Sequence, residues 1–265
     1  MEITLIQAVL IGLWTAFCYA GMLWGIFTNR AIVLSFGVGV ILGDIPTALQ
    51  CGAIAELAFM GFGVGAGGTV PPNPIGPGII GTLMAITTAG TSAAITPEAA
   101  LAVSIPFAVA IQFLQTAIYT VRAGAPESAA NALKEKKFNK FRLHANMTIW
   151  LFAIVGFLLG FLGAYSMDLL KSLVEMVPAW LLTGLSVAGG MLPAIGFAMI
   201  MSVMLKPELI PFAILGYVLA AYFQMPVIGI ALVGAIFAIK HYQDTQKALV
   251  AAGAIEEEVD HDDWI

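Results

Sequence analysis

Apolar residues run through this chain in long blocks rather than in alternation with polar ones. No Asp, Glu, Lys or Arg occurs in 3–29, 57–97, 99–121, 145–167, 176–205 or 209–239. A helix needs about 20 predominantly apolar residues to cross the hydrocarbon core of a bilayer, so each block is long enough for a crossing. The pattern predicts spans at 3–26, 31–49, 74–95, 99–121, 147–165 and 183–205, then a hairpin of 210–222 and 226–239 with a short first arm. The expected fold class is an all-α integral membrane protein of seven or eight spans.

Composition agrees with that pattern. Of 265 residues, 60% are hydrophobic and 10% charged, against about a quarter charged in an ordinary soluble domain. The first block carries Glu2 instead of a basic region and lacks a small-residue cleavage site, so it is expected to be a retained helix, not a signal peptide. Cys18 and Cys51 both lie in apolar sequence and give neither a disulfide framework nor metal-ligand spacing.

Charge distribution sets the expected orientation. Arg122, Lys134, Lys136, Lys137, Lys140 and Arg142 share one loop and make up six of the eleven Lys and Arg. The positive-inside rule places that loop in the cytoplasm. Counting spans outward from it puts both termini there too. The segment from Asp168 to Trp180 is short and mixed, as suits a membrane interface. The expected organisation is a membrane domain over 1–240, with a cytoplasmic loop at 122–144, and a polar, acidic tail over 241–265.

One segment does not fit a regular helix. From Gly61 the chain reads Gly61-Phe-Gly-Val-Gly-Ala-Gly-Gly-Thr-Val-Pro-Pro-Asn-Pro-Ile-Gly-Pro-Gly78. Glycine costs about 1 kcal/mol and proline about 3 kcal/mol inside a helix, so this run predicts a break. Non-helical backbone at membrane depth persists where protein buries it or where it lines a cavity, and transporters place such breaks at their substrate sites. A re-entrant, cavity-lining segment is expected; an ordinary extramembrane loop is the alternative. Ala66-Gly-Gly-Thr-Val-Pro71 is echoed by Ala188-Gly-Gly-Met-Leu-Pro193, a possible trace of an internal repeat.

Polar groups inside the predicted spans are few: Asp44, Gln50, Glu56, Asn73, Gln112 and Gln115. Intramembrane carboxylates are costly and often functional. Carboxylates and carboxamides together supply hydrogen-bond acceptors and donors to a ligand. Glu56 and Asn73 flank the glycine break and are the first candidates, followed by Gln112 in the middle of its helix. Asp44 divides evenly between such a role and stabilising the turn around Pro46. Gly67, Gly68 and Thr69 offer backbone that a ligand can approach closely, because the two glycines carry no Cβ. Gln115 reads better as a helix-to-helix hydrogen bond. Phe59 and Phe62 are either stacking surfaces or packing. The spacings Gly21/Gly25, Gly39/Gly43 and Gly156/Gly160 permit close helix approach, within one chain or between chains.

An ordered set of segments carries a family resemblance: Met1-Glu-Ile-Thr-Leu-Ile-Gln7, Ile41-Leu-Gly-Asp-Ile45, Gly52-Ala-Ile-Ala-Glu-Leu57, Pro71-Pro-Asn-Pro74, Ile105-Pro-Phe-Ala-Val-Ala-Ile-Gln112 and Val187-Ala-Gly-Gly-Met-Leu-Pro-Ala-Ile-Gly196. Together they resemble the IIC permease subunit of the mannose–fructose–sorbose family of the bacterial phosphoenolpyruvate-dependent sugar phosphotransferase system. Pro71-Pro-Asn-Pro74 and Leu192-Pro-Ala-Ile-Gly196 look most like the N-acetylgalactosamine and galactosamine type. The resemblance implies a permease made jointly with a IID membrane chain, as a higher oligomer of the IIC–IID unit. It also implies cytoplasmic IIA and IIB proteins that pass phosphate from the phosphocarrier HPr to the incoming sugar. Their histidines, not those of IIC, carry the phosphoryl group.

The sequence is consistent with that division of labour. His144, His241 and His261 lie beside the basic loop or the tail, outside any nucleophile setting. Neither a phosphate-binding loop nor a metal-ligand cluster appears in the sequence, so no cofactor, metal, nucleic-acid partner or catalytic activity is expected. Besides a phosphotransferase permease, composition alone leaves open a self-sufficient ion-coupled transporter or channel that uses Asp44 and Glu56 for coupling. The basic loop fits a phosphorylated IIB, anionic lipid, or topology signalling alone.

Overall fold

A computed structural model of the chain describes residues 3–60, 72–90, 94–167 and 178–251. All regular structure among the described residues is helical. Among the described residues, five helices are long and apolar enough to cross a membrane, and the others are shorter.

Helix α1 spans Leu5–Trp24. It starts where Thr4 and Gln7 form a reciprocal capping box, and it stops at Gly25, whose φ of 77° is left-handed. It packs along α7 (Phe138–Tyr165) through small residues. A Cβ on Gly160 would come within 2.7 Å of Thr15 Cβ, and one on Gly156 within 3.0 Å of the Ala16 Cα. The Gly156/Gly160 spacing thus serves packing within this chain. Tyr19 and Phe152 fill the same seam with ring centroids 4.7 Å apart.

The crossing expected at 31–49 is instead two helices, α2 (Ala31–Leu42) and α3 (Ile45–Phe59). Gly43 ends α2 at φ 82°, and its N–H bonds back to the Gly39 carbonyl. Asp44 then caps α3 by accepting from the Thr47 N–H at 3.1 Å, with Pro46 tolerated in the first turn. Of 12 and 15 residues, the two rise about 18 and 22 Å at 1.5 Å per residue, both short of a hydrocarbon core of about 30 Å. They fold back as a hairpin whose arms meet at Gly39 against Ala48 and at Gly52 against Ser35. Trp14 of α1 donates its indole N–H to the Leu34 carbonyl at 3.2 Å and ties the hairpin to α1.

Helix α4 opens with a π-helical stretch, Gly76–Gly81, and continues as Thr82–Thr88. Every residue from Ile75 to Thr88 is buried, so this segment lies at the centre of the fold, and its helix is shorter than the crossing expected at 74–95. Glycines bring it against its neighbours: a Cβ on Gly76 would meet the Ala108 Cα at 2.7 Å, and one on Gly78 the Leu34 Cβ at 2.7 Å. Thr82, Thr87 and Thr88 turn their hydroxyls onto helix carbonyls, which hides their polarity.

Helix α5 (Pro97–Val121) begins at the Thr96 cap, contains Pro106 and packs on α4. A short, amphipathic α6 (Ala125–Lys134) leads into α7. Before α7, Lys137 pairs with Glu135 at 2.7 Å and holds that carboxyl below the usual range. Helix α8 (Ala179–Met204) runs unbroken through Ala188–Pro193. The second copy of the Ala-Gly-Gly motif is therefore no interruption. Its Gly189 lets α8 press on the Glu98 carbonyl, while Gly196 lies against the Leu57 carbonyl. The first copy, at 66–71, lies outside the described residues.

The described residues from Met204 onward cluster as a separate unit. After a 3-10 turn at Pro207–Leu209 come α9 (Ile210–Ala221) and α10 (Val227–Ala251), joined by a Phe212–Phe237 contact with centroids 5.5 Å apart. The short first arm is as expected. The second arm runs on as helix to Ala251, because Gln, Lys and Ala are good helix formers and Lys240 pairs with Asp244 one turn on at 3.8 Å.

Candidate functional site

The α2–α3 hairpin brings Glu56, near the end of α3, against the start of α2. There Arg30 turns its guanidinium onto the Glu56 carboxylate, and both Nε and Nη2 reach Oε1. The second oxygen, Oε2, accepts from the Ile32 backbone N–H at 3.4 Å. An anion here satisfies one of the orphan donors at the α2 N-terminus and sits at the positive end of its dipole. Two partners, the Arg30 guanidinium and the Ile32 N–H, thus hold the Glu56 carboxylate in place inside an apolar region. The pair is not sealed, however: the Arg30 side chain is 56% exposed and that of Glu56 20%.

It faces a cavity of about 320 Å³ lined by Met22, Asn29, Arg30, Ala31, Glu56, Phe59, Met60, Pro72, Pro74, Gln112 and Gln115. Ligand pockets run from about 300 to 1,000 Å³ and combine apolar walls with a few convergent polar groups. Both are present here. Phe59, Met22, Met60 and the two prolines supply the apolar part. Glu56, Arg30, Asn29 and Gln112 supply acceptors and donors. The Gln112 side chain makes no hydrogen bond to another described residue, and Asn29 Oδ1 is buried without a partner. This mixture of acceptors and donors suits a neutral ligand bearing several hydroxyls.

Asn73 is placed differently. It is 0% exposed and lies behind the cavity wall. Its Nδ2 donates to Gln115 Oε1 at 2.5 Å, and its Oδ1 accepts from the Ile75 N–H at 3.0 Å. Tyr19 donates its hydroxyl to the same Gln115 oxygen at 3.2 Å. The backbone N–H of Asn73 bonds the Ala108 carbonyl at 3.1 Å. These bonds knot α1, the entry to α4, and α5.

Of the residues singled out from sequence, Glu56 and Gln112 share the cavity and Asn73 backs it. Asp44 caps α3 and is not among the lining residues. Gly67, Gly68 and Thr69, with Phe62, lie outside the described residues. Asn29, Arg30 and the cavity-facing side of Gln115 were not anticipated. A signal for Arg30 was present: it is the one basic residue between two long uncharged stretches, with Glu56 the nearest acid beyond Asp44.

Residues 5–240 match the family described as the PTS system sorbose-specific IIC component. The chain is 34% identical to N-acetylgalactosamine permease IIC component 1 of Escherichia coli K12, covering 97% of each protein. It is 28% identical to the mannose-specific EIIC component of the same strain, over 96% of this chain and 94% of the relative. A sorbose-specific EIIC component of Klebsiella pneumoniae is also 28% identical, over 92% and 90%. Among solved structures, one described only as a membrane protein superposes with a TM-score of 0.80 at 25% identity, covering 91% of this chain and 97% of that one. The mannose transporter ManYZ in complex with microcin E492 gives a TM-score of 0.56 at 26% identity, over 92% and 97%.

Proposed function

The chain belongs to the family of phosphotransferase-system sorbose-specific IIC components, and on that premise we propose that its Glu56 cavity holds an amino sugar of the N-acetylgalactosamine type. The protein is a multi-pass membrane permease component of a sugar phosphotransferase system, working with other subunits of that system. Family membership sets aside an ion-coupled transporter, and of the two carboxylates invoked for coupling Asp44 is engaged in a helix cap.

The carrying observation is the cavity itself, where a carboxylate, a guanidinium and three carboxamides surround a space of about 320 Å³ with Phe59 on its wall. Sugar hydroxyls donate to Glu56 and exchange hydrogen bonds with Gln112 and Asn29. Phe59 offers an apolar face to the ring. Asn73 acts from behind by fixing Gln115. The glycine run carrying Gly67, Gly68 and Thr69 joins Met60 to Pro72, both cavity residues, and its missing side chains suit close backbone approach to the sugar.

The sugar choice follows the similarity to the N-acetylgalactosamine permease component, the most identical of the full-length relatives described above. A IID membrane subunit completes the permease, in keeping with the likeness to the ManYZ transporter. The basic loop at 122–144 faces the cytoplasm, where IIB delivers the phosphoryl group, and the IIC chain carries no phospho-acceptor of its own.

Uptake in vesicles loaded with phosphoenolpyruvate and the soluble relay proteins tests this reading. Sugar phosphate from N-acetylgalactosamine is expected inside only when IID and the relay are both present, with galactosamine and mannose as comparators. Unmodified sugar accumulating without phosphoenolpyruvate would overturn it.

A further inference from the structure

A second cavity, of about 340 Å³, lies where α5, α6 and α7 meet, away from the sugar site. Its polar residues are Tyr119, Arg122, His144 and Thr148, and alanines with Pro126 form the rest of its wall. Arg122 Nε donates to the Thr148 hydroxyl at 3.3 Å and Nη2 to the His144 carbonyl at 3.1 Å. No carboxylate lies within ion-pair reach of this guanidinium among the described residues. Beside it, His144 Nδ1 is buried and unpartnered. The site thus holds a positioned cation with N–H groups to spare and an orphan imidazole nitrogen, but no counter-charge.

Its depth in the membrane can be read from both helices. Arg122 ends the charge-free stretch 99–121 of α5, and His144 immediately precedes the charge-free stretch 145–167 of α7. The cavity therefore sits where water gives way to hydrocarbon, at the level of lipid phosphates. Trp150 on α7 and Tyr119 on α5, 67% and 43% exposed, are the amphipathic rings that favour that level. Segment 122–144 carries six basic residues against Glu127 and Glu135, so the local field attracts anions.

We propose that this cavity binds the phosphodiester head group of an anionic phospholipid. Arg122 would offer its planar fork to two phosphate oxygens. His144, as the tautomer protonated at Nδ1, would donate a third bond. The small apolar wall of α6 accommodates the start of the acyl chains. Free inorganic phosphate shares the head-group chemistry but could not use that wall. The inference is independent of the sugar site.

The test is the melting temperature of the full-length protein in non-ionic detergent, titrated with phosphatidylglycerol, phosphatidylcholine or inorganic phosphate. Phosphatidylglycerol is expected to raise it by roughly 2–4 °C, the shift that about 1 kcal/mol of linkage produces in a chain of this size. Neither of the other two should do so. Arg122→Gln should abolish the rise, and Lys140→Gln, which alters loop charge outside the cavity, should keep it. If Arg122→Gln does not fold, Arg122→Lys, which keeps the charge and loses the fork, should at least halve the rise. An equal rise with phosphatidylcholine, or a full rise in the Arg122 variant, would refute the site. A rise with inorganic phosphate alone would overturn the lipid assignment.

Discussion

Two polar clusters share Gln115, and they have opposite characters. In the Tyr19–Asn73–Gln115 knot, one glutamine oxygen takes both neighbouring donors, the Asn73 oxygen is engaged by backbone, and Asn73 is wholly enclosed. In the Arg30–Glu56 cluster, charge is balanced but access remains: carboxylate, guanidinium, Asn29 and Gln112 all border open space. Gln115 belongs to both, with its oxygen in the knot and its side chain on the cavity wall. A buried polar group whose bonds are satisfied by protein holds a fold together, whereas one with spare capacity beside a cavity is available to a ligand. Intramembrane polarity alone does not separate these cases; the partner inventory does.

The largest expected effect falls on the knot. Asn73→Leu strands the Ile75 N–H in the core, takes one of its two donors from the Gln115 oxygen, and should destabilise the protein by about 3 kcal/mol. Thermal or denaturant unfolding in detergent checks this, and an unchanged midpoint would mean the knot is not structural. On the cavity side, Gln112→Ala should weaken sugar affinity about tenfold, the cost of one good hydrogen bond of roughly 1.4 kcal/mol. It should leave the melting temperature nearly untouched. An equal loss of stability would place Gln112 with the knot. The smallest effect belongs to Asp44→Ala, which removes a helix cap worth about 1 kcal/mol. Stability should fall by that amount and sugar affinity stay within about twofold. A larger affinity loss would return Asp44 to the sugar site.

The sequence was most legible where composition decides. Membrane class, the all-helical fold, the long spans α1, α5, α7 and α8, and the short arm before α10 all follow from where charges are missing. It was least legible where a helix must be short. The block at 31–49 reads as one apolar run, and only the local chemistry of Gly43, Asp44 and Pro46 turns it back on itself. Helix α4 reads as a longer span, 74–95, because a short, fully buried helix and a membrane span share the same uniform apolarity. Glu56 stood out as an isolated carboxylate, but its partner Arg30 is 26 residues away, and only the hairpin brings them together. Asn73 drew notice for its place beside the glycine break, yet its enclosure depends on Tyr19 and Gln115, 54 and 42 residues distant.

The most direct test of the central claim is equilibrium binding of radiolabelled N-acetylgalactosamine to the purified IIC–IID complex, without phosphoenolpyruvate, for wild type and Glu56→Gln. The variant keeps the shape of the side chain and loses its charge. If the Glu56 cavity holds the sugar, affinity should drop by about 100-fold, corresponding to charge-assisted hydrogen bonds of roughly 3 kcal/mol, with the melting temperature retained within a few degrees. A folded Glu56→Gln complex that binds the sugar as tightly as wild type would place the site elsewhere and leave the Arg30–Glu56 pair a purely structural clasp of the α2–α3 hairpin.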